Sequence, residues 1–269
     1  MPLPPHHQAA LDRFVTTCRA DERVVAAFLG GSYARGAADA YSDLDLGLIT
    51  ADEAYDDFLA GREAFIRRLG EPVFLESFDR PDNIFFIFPD GTEGELAMGR
   101  EGQFTHIHSG PYRVLLDRRG VLTNAVFPRP EPDPAEQRET LRRLVAWFWH
   151  DLSHFITAMG RGQLWWAAGQ LDELRRICVN LARLREDFTA GADGYEKLDQ
   201  ALPADRLSPL QPTFYQMERD WMLRAGLAIV AYYRDLAPPL ARSHGLPYPD
   251  ALERVMSDRL EKLREARPT

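Results

Sequence analysis

An apolar, β-branched run from Val24 to Leu29 (VVAAFL) breaks abruptly into Gly30-Gly31-Ser32 and is followed shortly by Ser42-Asp43-Leu44-Asp45-Leu46. The run has the composition of a buried strand, and the paired glycines let the backbone turn sharply and pass close to a ligand. Ser32 is placed to cap a short helix, whose free N–H groups and positive dipole end suit phosphate oxygens. Side chains two apart on a strand point the same way. Asp43 and Asp45 are therefore expected to present both carboxylates on one face, with Leu44 and Leu46 in the core. Such a pair suits Mg²⁺, which favours a few carboxylates together with phosphate oxygens; two such ions activate an attacking hydroxyl and neutralise a departing pyrophosphate. Other phosphate motifs fit worse, since a Walker A loop needs a Gly-Lys-Ser/Thr that is absent, and the dinucleotide fingerprint needs a glycine where Tyr33 stands.

The string GGSYARG, a short spacer and SDLDLGLI together resemble the signature of the DNA-polymerase-beta-like nucleotidyltransferase superfamily, and among its members the aminoglycoside and lincosamide nucleotidyltransferases. The resemblance implies Mg²⁺-dependent transfer of a nucleoside monophosphate, AMP from ATP or the equivalent from another nucleoside triphosphate, to a hydroxyl of a small molecule. It also implies a third metal carboxylate from a later hairpin. Asn83 to Phe88, the turn Pro89-Asp90-Gly91-Thr92 and Gly94-Glu95-Leu96-Ala97 fit that hairpin, with Glu95 where the family usually has Asp, a change that keeps the charge and lengthens the reach. Asp43, Asp45 and Glu95 are thus the implied metal ligands, and Gly31 and Ser32 the implied nucleotide cradle. Arg35, one turn into the cradle helix, is placed to reach a triphosphate oxygen, although an arginine on an exposed helix face needs no ligand to explain it. The likeness is specific from Gly30 to Leu46, looser at the hairpin and architectural beyond Pro128. It further implies a homodimer.

The remaining pattern predicts an α+β chain. A mixed-sheet nucleotidyltransferase domain is expected over residues 1–127, followed by a C-terminal α-helical bundle over 134–269 that binds the acceptor. Gln8 to Ala20 and Asp52 to Leu69 have helical spacing; Asp43 to Ile49, Val73 to Phe78, Ile84 to Met98 and Tyr112 to Leu116 supply strands. Phe-Pro-Arg-Pro-Glu-Pro-Asp-Pro, from Phe127, suits a stiff connector. Beyond it, apolar stripes run through Leu141 to Met159 and Leu164 to Leu181, and helices are expected at Thr213 to Leu236 and Pro249 to Glu265. Trp165 and Trp166 are read as core or helix-packing residues.

Trp147, His150, Asp151 and His154 share a helix face adjoining the first stripe. That face is expected to line an interdomain cleft and contact the acceptor, with Trp147 packing on a ring and Asp151 or a histidine taking a proton; a plain polar surface explains it as well. His150 and His154 have a metal-compatible spacing, but no glutamate-containing zinc motif accompanies them, so zinc is not expected. Asp172 and Glu173 offer further charge for a cationic acceptor. The resembling family removes the acceptor's proton with a carboxylate whose position differs between branches, and here Glu76 and Asp151 are both placed for it.

With 269 residues and 45% hydrophobic content the chain can bury a substantial core. Its net charge of −9 and lack of a Lys/Arg-rich run disfavour a nucleic-acid acceptor and suit a cationic small molecule such as an aminocyclitol antibiotic. No run spans a bilayer, and the N-terminus carries no secretory pattern, so a cytoplasmic protein without membrane partners is expected. Cys18 and Cys178 read as buried free thiols. Two competing readings are a nucleotidyltransferase acting on a polypeptide partner, protein-modifying or antitoxin-like, and a catalytically silent nucleotide-binding relative, the latter given room by Glu95.

Overall fold

A computed structural model describes residues 3–128, 132–189 and 194–266; the middle of the Pro-rich connector, residues 129–131, lies outside them. The chain forms two compact units, Met1–Pro130 and Glu131–Thr269.

In the first unit, α1 (Pro5–Ala20) leads into β1 (Val24–Leu29), the short helix α2 (Gly31–Arg35) and β2 (Leu44–Thr50). A 3₁₀ turn, α3 (Tyr55–Ala60) and α4 (Arg62–Leu69) precede β3 (Phe74–Glu76), β4 (Asn83–Ile87), β5 (Glu93–Arg100) and β6 (Arg113–Asp117). The single helix expected over Asp52 to Leu69 is therefore interrupted. Gly61 stops α3, its N–H bonding back to the carbonyls of Asp57 and Phe58, and restarts the chain as α4. The six strands run in the order β3-β4-β5-β2-β1-β6, with β2 and β5 parallel and the other pairs antiparallel, which makes the sheet mixed as the sequence pattern indicates.

The pleat sorts side chains between two faces. Leu44, Leu46, Leu48, Ile84, Leu96 and Met98 bury against Phe14 and Cys18 of α1, Phe58 of α3 and Phe65 and Ile66 of α4. The alternate residues face the other way. There Val25, Phe28 and Ile49 pack with Leu122 and Phe127, while the part of that face over β2, β5, β4 and β3 carries Asp45, Glu95, Phe85 and Glu76. Every residue of β1 is buried, as expected for VVAAFL. Gly47 is required on this face, because a Cβ there would stand 2.0 Å from Phe28 Cζ.

In the second unit, Asp133 caps α5 (Pro134–Gly160), its carboxylate accepting from the Ala135 N–H at 2.8 Å. A tight turn returns the chain as α6 (Leu164–Glu186); the single-turn helices α7 (Leu198–Ala201) and α8 (Ala204–Leu207) follow, then α9 (Arg219–Ser243) and α10 (Asp250–Glu265). The core gathers Phe148, Trp149, Phe155, Leu171, Leu174, Cys178 and Tyr233, with the rings of Phe148 and Tyr233 stacked at 3.6 Å. Two expectations fail here. The helix expected at Thr213 to Leu236 starts later, at Arg219, and continues through Pro238 and Pro239, because Leu236, Ala237, Leu240 and Ala241 are all core residues whose burial holds the final turns despite the missing donors. Trp165 and Trp166 are not core, at 84% and 38% exposed on the first turn of α6, whose inward positions belong to Ala167, Ala168 and Leu171, although Trp166 packs against His154 of α5 at 5.8 Å. Both cysteines are buried and free. No helix among the described residues is long and apolar enough to cross a membrane.

One polar contact fastens the helical side of the sheet. Asp21, buried at the end of α1, accepts from Arg23 at 2.9 Å and from Arg68 of α4 at 2.8 Å. Those bonds hold its carboxyl well below the usual carboxylate range. Because the folded-state pKa is depressed, the stabilisation is present above the ordinary aspartate value of about 3.9 and is lost as pH falls further. Asp21→Asn is expected to cost roughly 1–3 kcal/mol at neutral pH, with the gap from the parent closing in chemical denaturation below about pH 4.

Candidate active site

The Gly-Gly turn leaves β1 by a route that only these residues allow. Gly30 donates its N–H to the Asp45 carbonyl at 2.8 Å, and a Cβ on Gly30 would meet His108 Cε1 at 2.5 Å. Gly31 adopts φ +57°, and a Cβ on it would fall 1.4 Å from Asp45 Oδ2. The turn thus lies directly on the Asp45 carboxylate. Ser32 is not the helix cap the sequence suggests: Gly30 occupies that position with no side-chain bond, and α2 has only five residues, too few for a strong dipole. Ser32 Oγ is instead buried with no hydrogen-bond partner, a polar atom in need of an acceptor or donor. Tyr33 fixes α2 against α1, its hydroxyl lying 2.5 Å from Nδ1 of the buried His7. Burial pushes the His7 imidazole down and the Tyr33 phenol up, so both favour their neutral forms at this contact.

Asp45 on β2 pairs in register with Glu95 on β5, which pairs with Phe85 on β4, which pairs with Glu76 on β3. Residues in register across a sheet share a face, so these four form one row. Asn83 Nδ2 donates to Glu95 Oε2 at 3.3 Å. Asp45 and Glu95 line a cleft of about 630 Å³ with Gly31, Arg35 and the Thr105–Ser109 loop. A second recess of about 220 Å³ has Glu95 in common and adds Asp43, Glu93, Phe74, Phe78 and Phe85. Asp43 itself precedes β2 and is exposed, so it stands at the lip of this recess. The carboxylate oxygens of Asp43, Asp45 and Glu95 do not all lie within 4.8 Å of one another.

The two carboxylates considered for proton removal belong to different units. Glu76 belongs to the row, and its Oε1 accepts from the N–H groups of Ser77 and Phe78 at 2.8 and 3.2 Å. Asp151 lies on α5 in the second unit, where it lines a pocket of about 310 Å³ with Trp147, Arg143, Glu173 and Arg176. Glu173 is paired there with Arg176 and Asp172 with Arg175, which lowers the negative charge the sequence offered. Nothing in the sequence marked His7 and Asn83 for their contacts with Tyr33 and Glu95, whereas the Thr-His-Ile-His-Ser run of the cleft-lining loop, polar and histidine-rich after a strand, carried a signal.

The family model for streptomycin adenylyltransferase matches residues 6–263. The chain belongs to the streptomycin adenylyltransferase family. It is therefore an adenylyltransferase, and its mixed-sheet unit followed by a helical unit agrees with the resemblance drawn from GGSYARG and SDLDLGLI. Among solved structures it is similar to an aminoglycoside 6-adenyltransferase from Bacillus subtilis, at 13% identity, over 96% of this chain and 98% of that one, with a TM-score of 0.46. No curated protein matches it.

For this adenylyltransferase the contact between Gly31 and Asp45 makes a sharp prediction. Gly31→Ala places a methyl group where Asp45 Oδ2 stands and adds left-handed strain of about 1–2 kcal/mol. The variant is expected to keep wild-type circular dichroism while pyrophosphate release from ATP drops by about 10²-fold or more, since a misplacement of about an ångström costs that much.

Proposed function

We propose that the chain transfers AMP from ATP to a hydroxyl of a small cationic acceptor of the aminocyclitol antibiotic class, streptomycin being the first to test, in a Mg²⁺-dependent reaction. The observation carrying this reading is the in-register pair Asp45 and Glu95 beside the Gly31 turn and the partnerless Ser32 Oγ. The donor set suits the ion: two carboxylates on neighbouring strands, with Asp43 at the edge of the adjoining recess, are the hard oxygen ligands magnesium prefers. Ser32 Oγ, buried without a partner at the turn, suits a phosphate oxygen, and Arg35 at the cleft wall adds a positive charge for it.

The acceptor oxygen forms its bond to the α-phosphorus as the bond to the β-phosphate oxygen breaks, and pyrophosphate leaves. A bound divalent ion supplies charge neutralisation on the phosphates and activation of the attacking hydroxyl. The protein's share is positioning: the Gly31 turn and Ser32 fix the triphosphate tail, Asn83 fixes the Glu95 carboxylate, and Phe85 offers a ring face to the acceptor's apolar edge. Glu76, at the far end of the row from Asp45, accepts the acceptor's proton; its place on the same sheet face favours it over Asp151. The first unit acts as the catalytic domain. The second carries a pocket of its own, and the excess of acidic over basic residues, net −9, favours a cationic acceptor in the cytoplasm.

Asp45→Asn and Glu95→Gln are each expected to lower adenylyl transfer by about 10²-fold or more while leaving the urea midpoint within error, since each removes charge stabilisation without removing volume. Pyrophosphate release measured with a panel of aminocyclitols and with EDTA identifies acceptor and ion together. Undiminished activity in either variant overturns the assignment.

A further inference from the structure

On α5, in the second unit, His150, Asp151 and His154 each bring one ligand atom to within 4.8 Å of the others. They are the one such trio of His, Cys, Asp or Glu among the described residues. Helical geometry explains the two imidazoles, since residues four apart stack on one face, and their ring centroids are 4.4 Å apart. Asp151, next in chain to His150, turns its Oδ1 to 3.1 Å from His150 Nδ1. Indole rings flank the group: Trp147 meets His150 edge-on at 4.9 Å, and Trp166 of α6 lies 5.8 Å from His154. Asp151 and His154 are half-buried while His150 is exposed, so the group has a supported side and a side open to water.

We propose that His150, Asp151 and His154 form a site for zinc or another borderline divalent transition ion, with three protein ligands and an open position. Imidazole nitrogens select such ions over magnesium, which takes oxygen donors. Ligands about 2.1 Å from a shared ion in tetrahedral geometry stand about 3.4 Å apart, a spacing inside the 4.8 Å that already encloses the trio's ligand atoms. No zinc motif announces the site, because the third ligand is the residue beside the first histidine rather than one at a motif spacing. Asp151 also lines the 310 Å³ pocket, so an ion here withdraws that carboxylate from any molecule in the pocket. The inference is independent of the proposed magnesium chemistry, which uses other residues.

The test uses the full chain, stripped of metal and held in excess Mg²⁺. Zinc chloride titrated by calorimetry is expected to bind one ion per chain with micromolar affinity, and Cu²⁺ is expected to displace it and quench tryptophan emission, Trp147 and Trp166 being adjacent. His150→Ala and His154→Ala should each weaken zinc binding by about tenfold or more, as loss of a ligand does, whereas Asp45→Asn should leave it unchanged. The exposed His150 supplies the deciding variant if His154→Ala disturbs the fold by circular dichroism. Zinc binding weaker than millimolar, or binding that survives His150→Ala at full strength as it would if His6 and His7 held the ion, overturns the proposal.

Discussion

The contact on which the site depends is between a backbone and a carboxylate: Gly31, at φ +57°, lies so close to Asp45 that no side chain fits between them. The same closeness recurs around it. Gly30 lies under the His108 ring, and Gly47 lies under Phe28, two residues along β2 from Asp45. Three glycines therefore let an aromatic layer and a turn press onto one face of the sheet. Packing of this density transmits small displacements, so the position of the Asp45 carboxylate is set jointly by β2 and by the turn leaving β1.

The sheet divides its labour between faces. One is sealed by α1, α3 and α4 around Phe14, Phe58 and Phe65, and its polar fastening, Asp21 with Arg23 and Arg68, sits at the edge of that layer. The other face, over β2, β5, β4 and β3, carries Asp45, Glu95, Phe85 and Glu76. Asp45 and Glu95 stand side by side there on neighbouring parallel strands, and Asn83 donates to the Glu95 carboxylate.

Much of this was legible because the signals were local. VVAAFL followed by two glycines specifies a buried strand and a tight exit, and the run from Asn83 through the Asp90-Gly91 turn to Glu95 specifies a hairpin whose antiparallel register the structure has. What failed depended on partners distant in sequence. Ser32 looks like a cap until Gly30 is seen to hold that position, Trp165 and Trp166 look like core until α6 turns its alanines inward, and Pro238 looks like a stop until the burial of Leu240 outweighs it. His7 and Asn83 could not be read as site residues at all, since their roles exist only through Tyr33 and Glu95.

The row also constrains how an acceptor can sit. Neighbouring strands are about 4.8 Å apart, so Glu95 and Glu76, with β4 between them, stand about 10 Å apart across the face. Between them stands Phe85, which puts a ring face in the middle of an otherwise acidic row. Glu93 and Asp43 extend the acidic border along the neighbouring row, where Phe74 pairs through Ile87. An uncharged or anionic ring gains little from such a border, whereas an amine-bearing one gains at every edge. The arrangement of this one sheet face thus argues for a cationic acceptor more strongly than the net charge of the whole chain does, because a local field acts at contact distance and the overall charge is screened within about 10 Å.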